Sequence, residues 1–81
     1  MLKILFADDE QKVGWLIEQT IQWSELKAEC VGVMSNGVDA LRAVKELRPD
    51  IVITDIRMPD MDGLSLVRQG KEACPECVFV V

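Results

Sequence analysis

Eighty-one residues, 49% of them hydrophobic, bound this chain to a single small globular domain with one core. Below roughly 70–80 residues, apolar burial barely offsets chain entropy, so that core is expected to be marginal. Fourteen acids, nine bases and no histidine give a net charge of −5 spread along the chain, which excludes a cationic stripe for phosphate-backbone contacts; no nucleic-acid contact is expected of this domain.

The stretch from Met1 to Asp8 is too short for a signal-peptide core, and no apolar run approaches a membrane span, so a cytoplasmic location without membrane contact is expected. Residues 2–7, Leu-Lys-Ile-Leu-Phe-Ala, are a short apolar run that stops at three acids, as a buried strand opening into a loop would. Val13, Leu16, Ile17, Thr20 and Ile21 recur at helical spacing and predict one helix over about 11–23, with a sheet-facing stripe and Trp23 at its end as a packing residue.

Residues 28–34 predict a second strand. Ser35-Asn36-Gly37 supply a turn and a helix cap, and a helix follows over about 37–48 with Ala40, Leu41, Val44 and Leu47 on one side. Pro49 ends it, because the residue before proline is pushed out of helical geometry. Ile51-Val52-Ile53-Thr54 reads as a fully buried central strand, β-branched throughout and bounded by Asp50 and Asp55. Met58-Pro59-Asp60-Met61-Asp62-Gly63 carries turn chemistry. A shorter helix from Leu64 to about Glu72 and a fourth strand, Val78 to Val81, complete the pattern.

Three cysteines, an odd number, argue against a disulfide framework. Cys74 and Cys77 have the gap used by metal and redox sites, but zinc would need two more ligands and there is no histidine; they read as small residues flanking a turn, and Cys30 as part of a strand.

Strand and helix alternate with short connections, which predicts an α/β fold with a parallel, doubly wound sheet. Ligands of such sheets bind outside the C-terminal ends of the strands. Asp8 and Asp9 close the first strand and Asp55 the third, so if those strands are neighbours three carboxylates converge in one crevice. Convergence is costly without a cation, and magnesium, with its preference for hard oxygen ligands and retained water, suits the set better than zinc or copper. The competing reading of Asp8-Asp9-Glu10 is a plain helix N-terminal cap. Two independent acidic strand ends in one small sheet favour the shared site.

The acidic pair after the first strand, Ile53-Thr54-Asp55-Ile56-Arg57-Met58-Pro59, and Met61-Asp62-Gly63 together resemble the receiver domains of bacterial two-component response regulators. The resemblance covers the whole chain. It implies a flavodoxin-like sheet in the order 2-1-3-4 and makes Asp55 the phosphoacceptor. Asp9 becomes a direct ligand of Mg2+, Asp8 a ligand directly or through water, and the backbone carbonyl of Arg57 a further ligand. It also implies a histidine kinase as phosphoryl donor, and a domain that assists its own phosphorylation and is not otherwise an enzyme. Ile21-Gln22-Trp23 and Ser35-Asn36-Gly37-Val38-Asp39-Ala40-Leu41 further resemble receivers joined to AraC-type output domains, which implies transcriptional control by a parent protein.

Receivers of this kind run to about 120 residues, a common domain size. Residues 1–81 are therefore expected to form an incomplete receiver in which a fifth strand, two last helices, a switch serine or threonine and a lysine lie past Val81. An unpaired fourth strand would then favour self-association through its edge. Two alternatives compete. One is a magnesium phosphatase of the haloacid-dehalogenase type, although Asp8 and Asp9 are adjacent where that family places its two acids two residues apart. The other is a non-signalling interaction module whose acids bind magnesium no better than any surface carboxylate.

Overall fold

The apolar runs and helical stripes of the chain fold as alternating strands and helices, seen here in a computed structural model that describes residues 1–20 and 22–81. Ile21 and the side chains of Gln11, Lys12, Val13 and Trp15 lie outside the described residues, and with them the predicted inward roles of Val13 and Ile21. In chain order the elements are β1 (Leu2–Ala7), α1 (Gln11–Thr20), α2 (Trp23–Leu26), β2 (Ala28–Met34), α3 (Gly37–Leu47), β3 (Ile51–Thr54), α4 (Gly63–Ala73) and β4 (Val78–Val80).

The four strands form one parallel sheet in the order β2-β1-β3-β4, as expected. Register sets Leu5 opposite Val52 and Val52 opposite Phe79; the next row is Phe6, Ile53 and Val80. Because side chains alternate along a strand, the first row faces α3 and α4 and the second faces α1. On the α3/α4 side, Leu5, Val44, Val52, Cys74 and Cys77 form a buried cluster continuous with Val31 and Phe79. Ala7, Ala40, Met58 and Leu66 form a second cluster beside the strand ends. Full burial of Leu5, Val44, Val52 and Leu66 stabilises the fold by about 1.5–3 kcal/mol each.

Helix α3 begins as its sequence predicts, with Asn36 Oδ1 accepting the Asp39 N–H at 2.8 Å and Asn36 Nδ2 donating back to Asp39 Oδ2. It ends at Leu47, where Arg48 turns left-handed (φ 44°) before the buried Pro49. The inner face of α3 is Ala40, Ala43 and Val44; Leu47, predicted to face inward, is the last residue of the helix and is 40% exposed.

Other expectations are corrected. The predicted helix over 11–23 is two helices: Gln22 is non-helical, and Trp23 opens the short α2 so that its ring meets Phe6 edge to face at 5.9 Å. Such a contact contributes about 0.5–1.5 kcal/mol beyond burial. Leu16, predicted for the buried stripe, is 51% exposed. Strand β3 is central but not buried on both faces: Ile53 is 36% exposed on the α1 side, where Gly14 brings α1 close to Val33 of β2. Strand β4 ends at Val80, and α4 extends through Ala73.

The largest correction concerns the cysteines, which the odd count and lack of histidine cast as plain turn residues. Cys74 and Cys77 do flank the turn between α4 and β4, and they are joined as a disulfide. The turn brings their Cα atoms to 5.5 Å, inside the range a bridge needs. Cys30 is the free cysteine. Among the described residues no helix is long and apolar enough to cross a membrane. Thiol titration of the denatured chain is expected to find one reactive group before reduction and three after; three at the outset would contradict the bridge.

Candidate functional site

Sheet pairing continues one residue past the strand ends, and this is what assembles the acids. The Asp8 N–H donates to the Met34 carbonyl at 2.9 Å, and the Asp55 N–H donates to the Ala7 carbonyl at 2.8 Å. With Ala7 opposite Thr54, the acids that follow β1 and β3 stand side by side. One carboxylate oxygen from each of Asp8, Asp9 and Asp55 lies within 4.8 Å of the others, so the predicted convergence is present.

Local hydrogen bonds orient two of the three. Asp8 Oδ1 accepts the Glu10 N–H at 2.9 Å, and Asp55 Oδ1 accepts the Ile56 N–H at 2.7 Å. The first of these bonds is a local turn that ends at Glu10, before α1 begins at Gln11. Asp8 is half-buried while Asp9 and Asp55 are exposed. A crevice of about 260 Å³ runs from Asp8 and Asp55 along Phe6, Ile17, Ile53 and Thr54.

Like charges at roughly this spacing repel by about 1 kcal/mol in bulk water and by several kcal/mol in less polar surroundings. Among the described residues the ion pairs are Arg42–Asp39 and Arg48–Glu76, neither of which reaches the cluster. The three acids therefore offer an oxygen-only donor set, open to solvent, with no cationic side chain paired to it among the described residues. That chemistry fits a hard divalent cation that keeps part of its water shell.

The loop after Asp55 is anchored at several points. Met58 is buried against Ala7, Ala40 and Leu66. Asp60 accepts the Gly37 N–H at 2.8 Å and the Val38 N–H at 3.0 Å, reaching across to the start of α3. Asp62 caps α4 by accepting the Ser65 N–H at 2.7 Å. The Gly63 N–H donates to the Ile56 carbonyl at 2.7 Å, and a Cβ at Gly63 would collide with the Asp55 carbonyl. Arg57 lies in this loop with its side chain exposed and in no ion pair among the described residues. Pro59 is exposed.

The sequence reading missed Asp60 and Asp62, which it treated as generic turn residues. For Asp62 a signal existed, since an aspartate just before a helical apolar run is an N-cap pattern. Asp60 had none, because its partners are 22 and 23 residues away.

Two expectations follow from this loop. Gly63→Ala should destabilise the chain by about 1–3 kcal/mol through the forced shift of the Asp55 carbonyl, read as a lowered urea midpoint; an unchanged midpoint would contradict the packing. The backbone N–H of Ser65, helped by its hydroxyl and by Arg68, holds the Asp62 carboxyl below the usual carboxylate range against a smaller desolvation effect. The folded chain therefore binds that proton less tightly than the unfolded chain does. The cap's stabilisation is complete above the unfolded value of about 3.9 and disappears as pH falls through the lower folded value. Asp62→Asn should thus flatten the fall in melting temperature below about pH 4; a slope equal to the native one would count against it.

Comparison with known proteins agrees with this geometry. The family described as response regulator receiver domain matches residues 4–81. The uncharacterized transcriptional regulatory protein YesN of Bacillus subtilis is 40% identical over 81 residues, all of this chain but 22% of YesN. The solved REC domain of AraT, a response regulator from Geobacillus stearothermophilus, superposes with a TM-score of 0.90 at 36% identity, over 96% of this chain and 60% of that one. A two-component transcriptional regulator AraC from Clostridium phytofermentans gives 0.87 at 30% identity, over 98% and 64%. The chain thus spans about a fifth of the curated relative's length, and with its four-stranded 2-1-3-4 sheet and acidic strand ends it belongs to the receiver domains of two-component response regulators.

Proposed function

We propose that this receiver takes up a phosphoryl group on Asp55, with a magnesium ion held by Asp8, Asp9, Asp55 and the backbone carbonyl of Arg57. The observation that carries this reading is the meeting of three carboxylates within 4.8 Å with no cationic side chain paired to them among the described residues. When bound, magnesium neutralises charge shared between these carboxylates and the phosphoryl oxygens. Magnesium fits the donor set because every proposed ligand is an oxygen and the exposed Asp9 and Asp55 leave room for water.

The chain's own part is positioning. Asp55 sits at the end of β3, fixed by its N–H bond to Ala7, with one carboxylate oxygen occupied by the Ile56 N–H. The other oxygen is the nucleophile. It forms a bond to phosphorus as the bond from phosphorus to the donor breaks, leaving an acyl phosphate on Asp55 and releasing a histidine kinase's imidazole or a small donor's carboxylate. Asp8, held through Glu10, and Asp9 face the site from β1. The domain is a substrate that assists its own modification, with no turnover of its own.

Transcriptional output is the reading favoured for the longer protein. It rests on the relatives named as transcriptional regulators and on the share of their length that lies outside the match. The Asp8-Asp9 and Asp55 geometry itself says nothing of DNA.

Incubation with magnesium and acetyl phosphate, or with beryllofluoride, is expected to give one adduct per chain that requires magnesium and is abolished in Asp55→Asn. Tryptophan fluorescence is a second readout, since Trp23 packs on Phe6, a wall of the crevice. Equal labelling of wild type and Asp55→Asn would remove the proposal.

A further inference from the structure

We propose that Asp60 is a positioning residue for the acceptor site, acting by clamping the loop after Asp55 onto the first turn of α3. The inference rests on the reading of Asp55 and the Arg57 carbonyl given above. It starts from the way α3 disposes of its first amides. A helix leaves its leading N–H groups without intrahelical partners. Here the Asp39 N–H goes to Asn36 within the same turn, but the Gly37 and Val38 N–H groups go to the two oxygens of Asp60, one each. The regular ladder begins only at Ala40, whose N–H donates to the Asn36 carbonyl.

This cap comes from another loop, so it ties two segments that the sequence separates. Asp60 is three residues beyond Arg57, in the connection between β3 and α4. The approach is close enough to need a glycine: a Cβ at Gly37 would lie 2.5 Å from both Cβ and the carbonyl oxygen of Met61. Met58, the residue directly after Arg57, is buried against Ala40 of the same helix. The loop thus has an apolar plug and a charged clamp on α3, and Asp55 and Gly63 fix its two ends. Between Asp55 and Met58 lie only Ile56, whose N–H and carbonyl are both bonded, and Arg57. Where the loop sits on α3 decides where the Arg57 carbonyl is presented.

Charge supports the assignment. A bidentate carboxylate on the positive end of an 11-residue helix is favourable, and the paired N–H bonds give direction as well as attraction. Desolvation acts to raise the Asp60 pKa, but the Val38, Gly37, Asp60 and Met61 amides together outweigh it and hold the carboxyl below its usual range, so the clamp is charged at neutral pH. Asp60 takes no part in the acid cluster, whose members are Asp8, Asp9 and Asp55. Its influence on the metal is therefore indirect, through the backbone.

The test compares magnesium affinity in wild type, Asp60→Ala, Asp60→Asn and Asp55→Asn, each on the folded 81-residue chain as judged by circular dichroism. Residues that orient metal ligands typically change affinity by about 10–100-fold when removed. Asp60→Ala should weaken magnesium by about tenfold, at the low end of that range, and Asp60→Asn, which keeps one acceptor oxygen, should recover part of the loss. A merely structural cap would lower the melting temperature and leave the affinity of the folded protein unchanged. A second measurement needs no variant: coupling is reciprocal, so saturating wild type with magnesium should slow amide exchange at Gly37 and Val38 by about the same tenfold factor. Wild-type affinity in folded Asp60→Ala overturns the inference while leaving the acceptor reading intact. Should that variant fail to fold, unchanged Gly37 and Val38 exchange on magnesium binding overturns it. A wild type that binds no magnesium overturns both.

Discussion

The pairing of Ala7 with Thr54 is the constraint on which the rest of the molecule depends. It places Leu5 beside Val52 in the dry layer beneath α3 and α4, and one residue further on it places Asp8 beside Asp55. A slip of one residue would turn every side chain of β3 to the opposite face, emptying the core and separating the acids together. The magnitudes show which effect governs. Each fully buried aliphatic side chain contributes about 1.5–3 kcal/mol, whereas each carboxylate pair costs about 1 kcal/mol in water. Apolar burial thus holds together charges that would otherwise separate.

The aspartates around the strand ends differ in what surrounds them more than in what they are. Asp60 and Asp62 have their oxygens engaged by backbone amides at the starts of two helices, so their charge is spent on the fold. Asp8, Asp9 and Asp55 come together at the crevice, where, among the described residues, Asp8 and Asp55 are each bonded to a neighbouring N–H. The first group shapes the loop and the second is open to a cation. Gly37 and Gly63 complete the division, since each removes a Cβ where one backbone segment must touch another.

The two faces of the sheet are unequally covered. Beneath α3 and α4 the row Leu5, Val52 and Phe79 is closed by Ala43, Val44 and the bridged Cys74 and Cys77. On the other face Leu16, Ile53 and Val80 remain partly exposed, and Trp23 packs on Phe6. The crevice that begins at the acids opens along this less covered face. Site and thin side of the core therefore share a boundary, and changes in what covers Ile53 would be felt next to Asp55.

Sequence alone determined much of this protein. Apolar runs, helical spacing, Asn36 and Pro49 set all four strands and the bounds of α3, because burial, capping and proline sterics act locally. The acids at two strand ends marked the site, because strand ends in such a fold are where ligands meet. Tertiary structure decided what local rules leave undefined. It set Trp23 at the start of a separate short helix with its ring on Phe6, and it left Leu47 exposed at the end of α3 while Ala43 is buried. It brought Cys74 and Cys77 within bonding reach across a turn, and it carried Asp60 to amides more than twenty residues away. Each of these is a contact between surfaces that become neighbours only when the sheet has assembled, and no spacing along the chain encodes it.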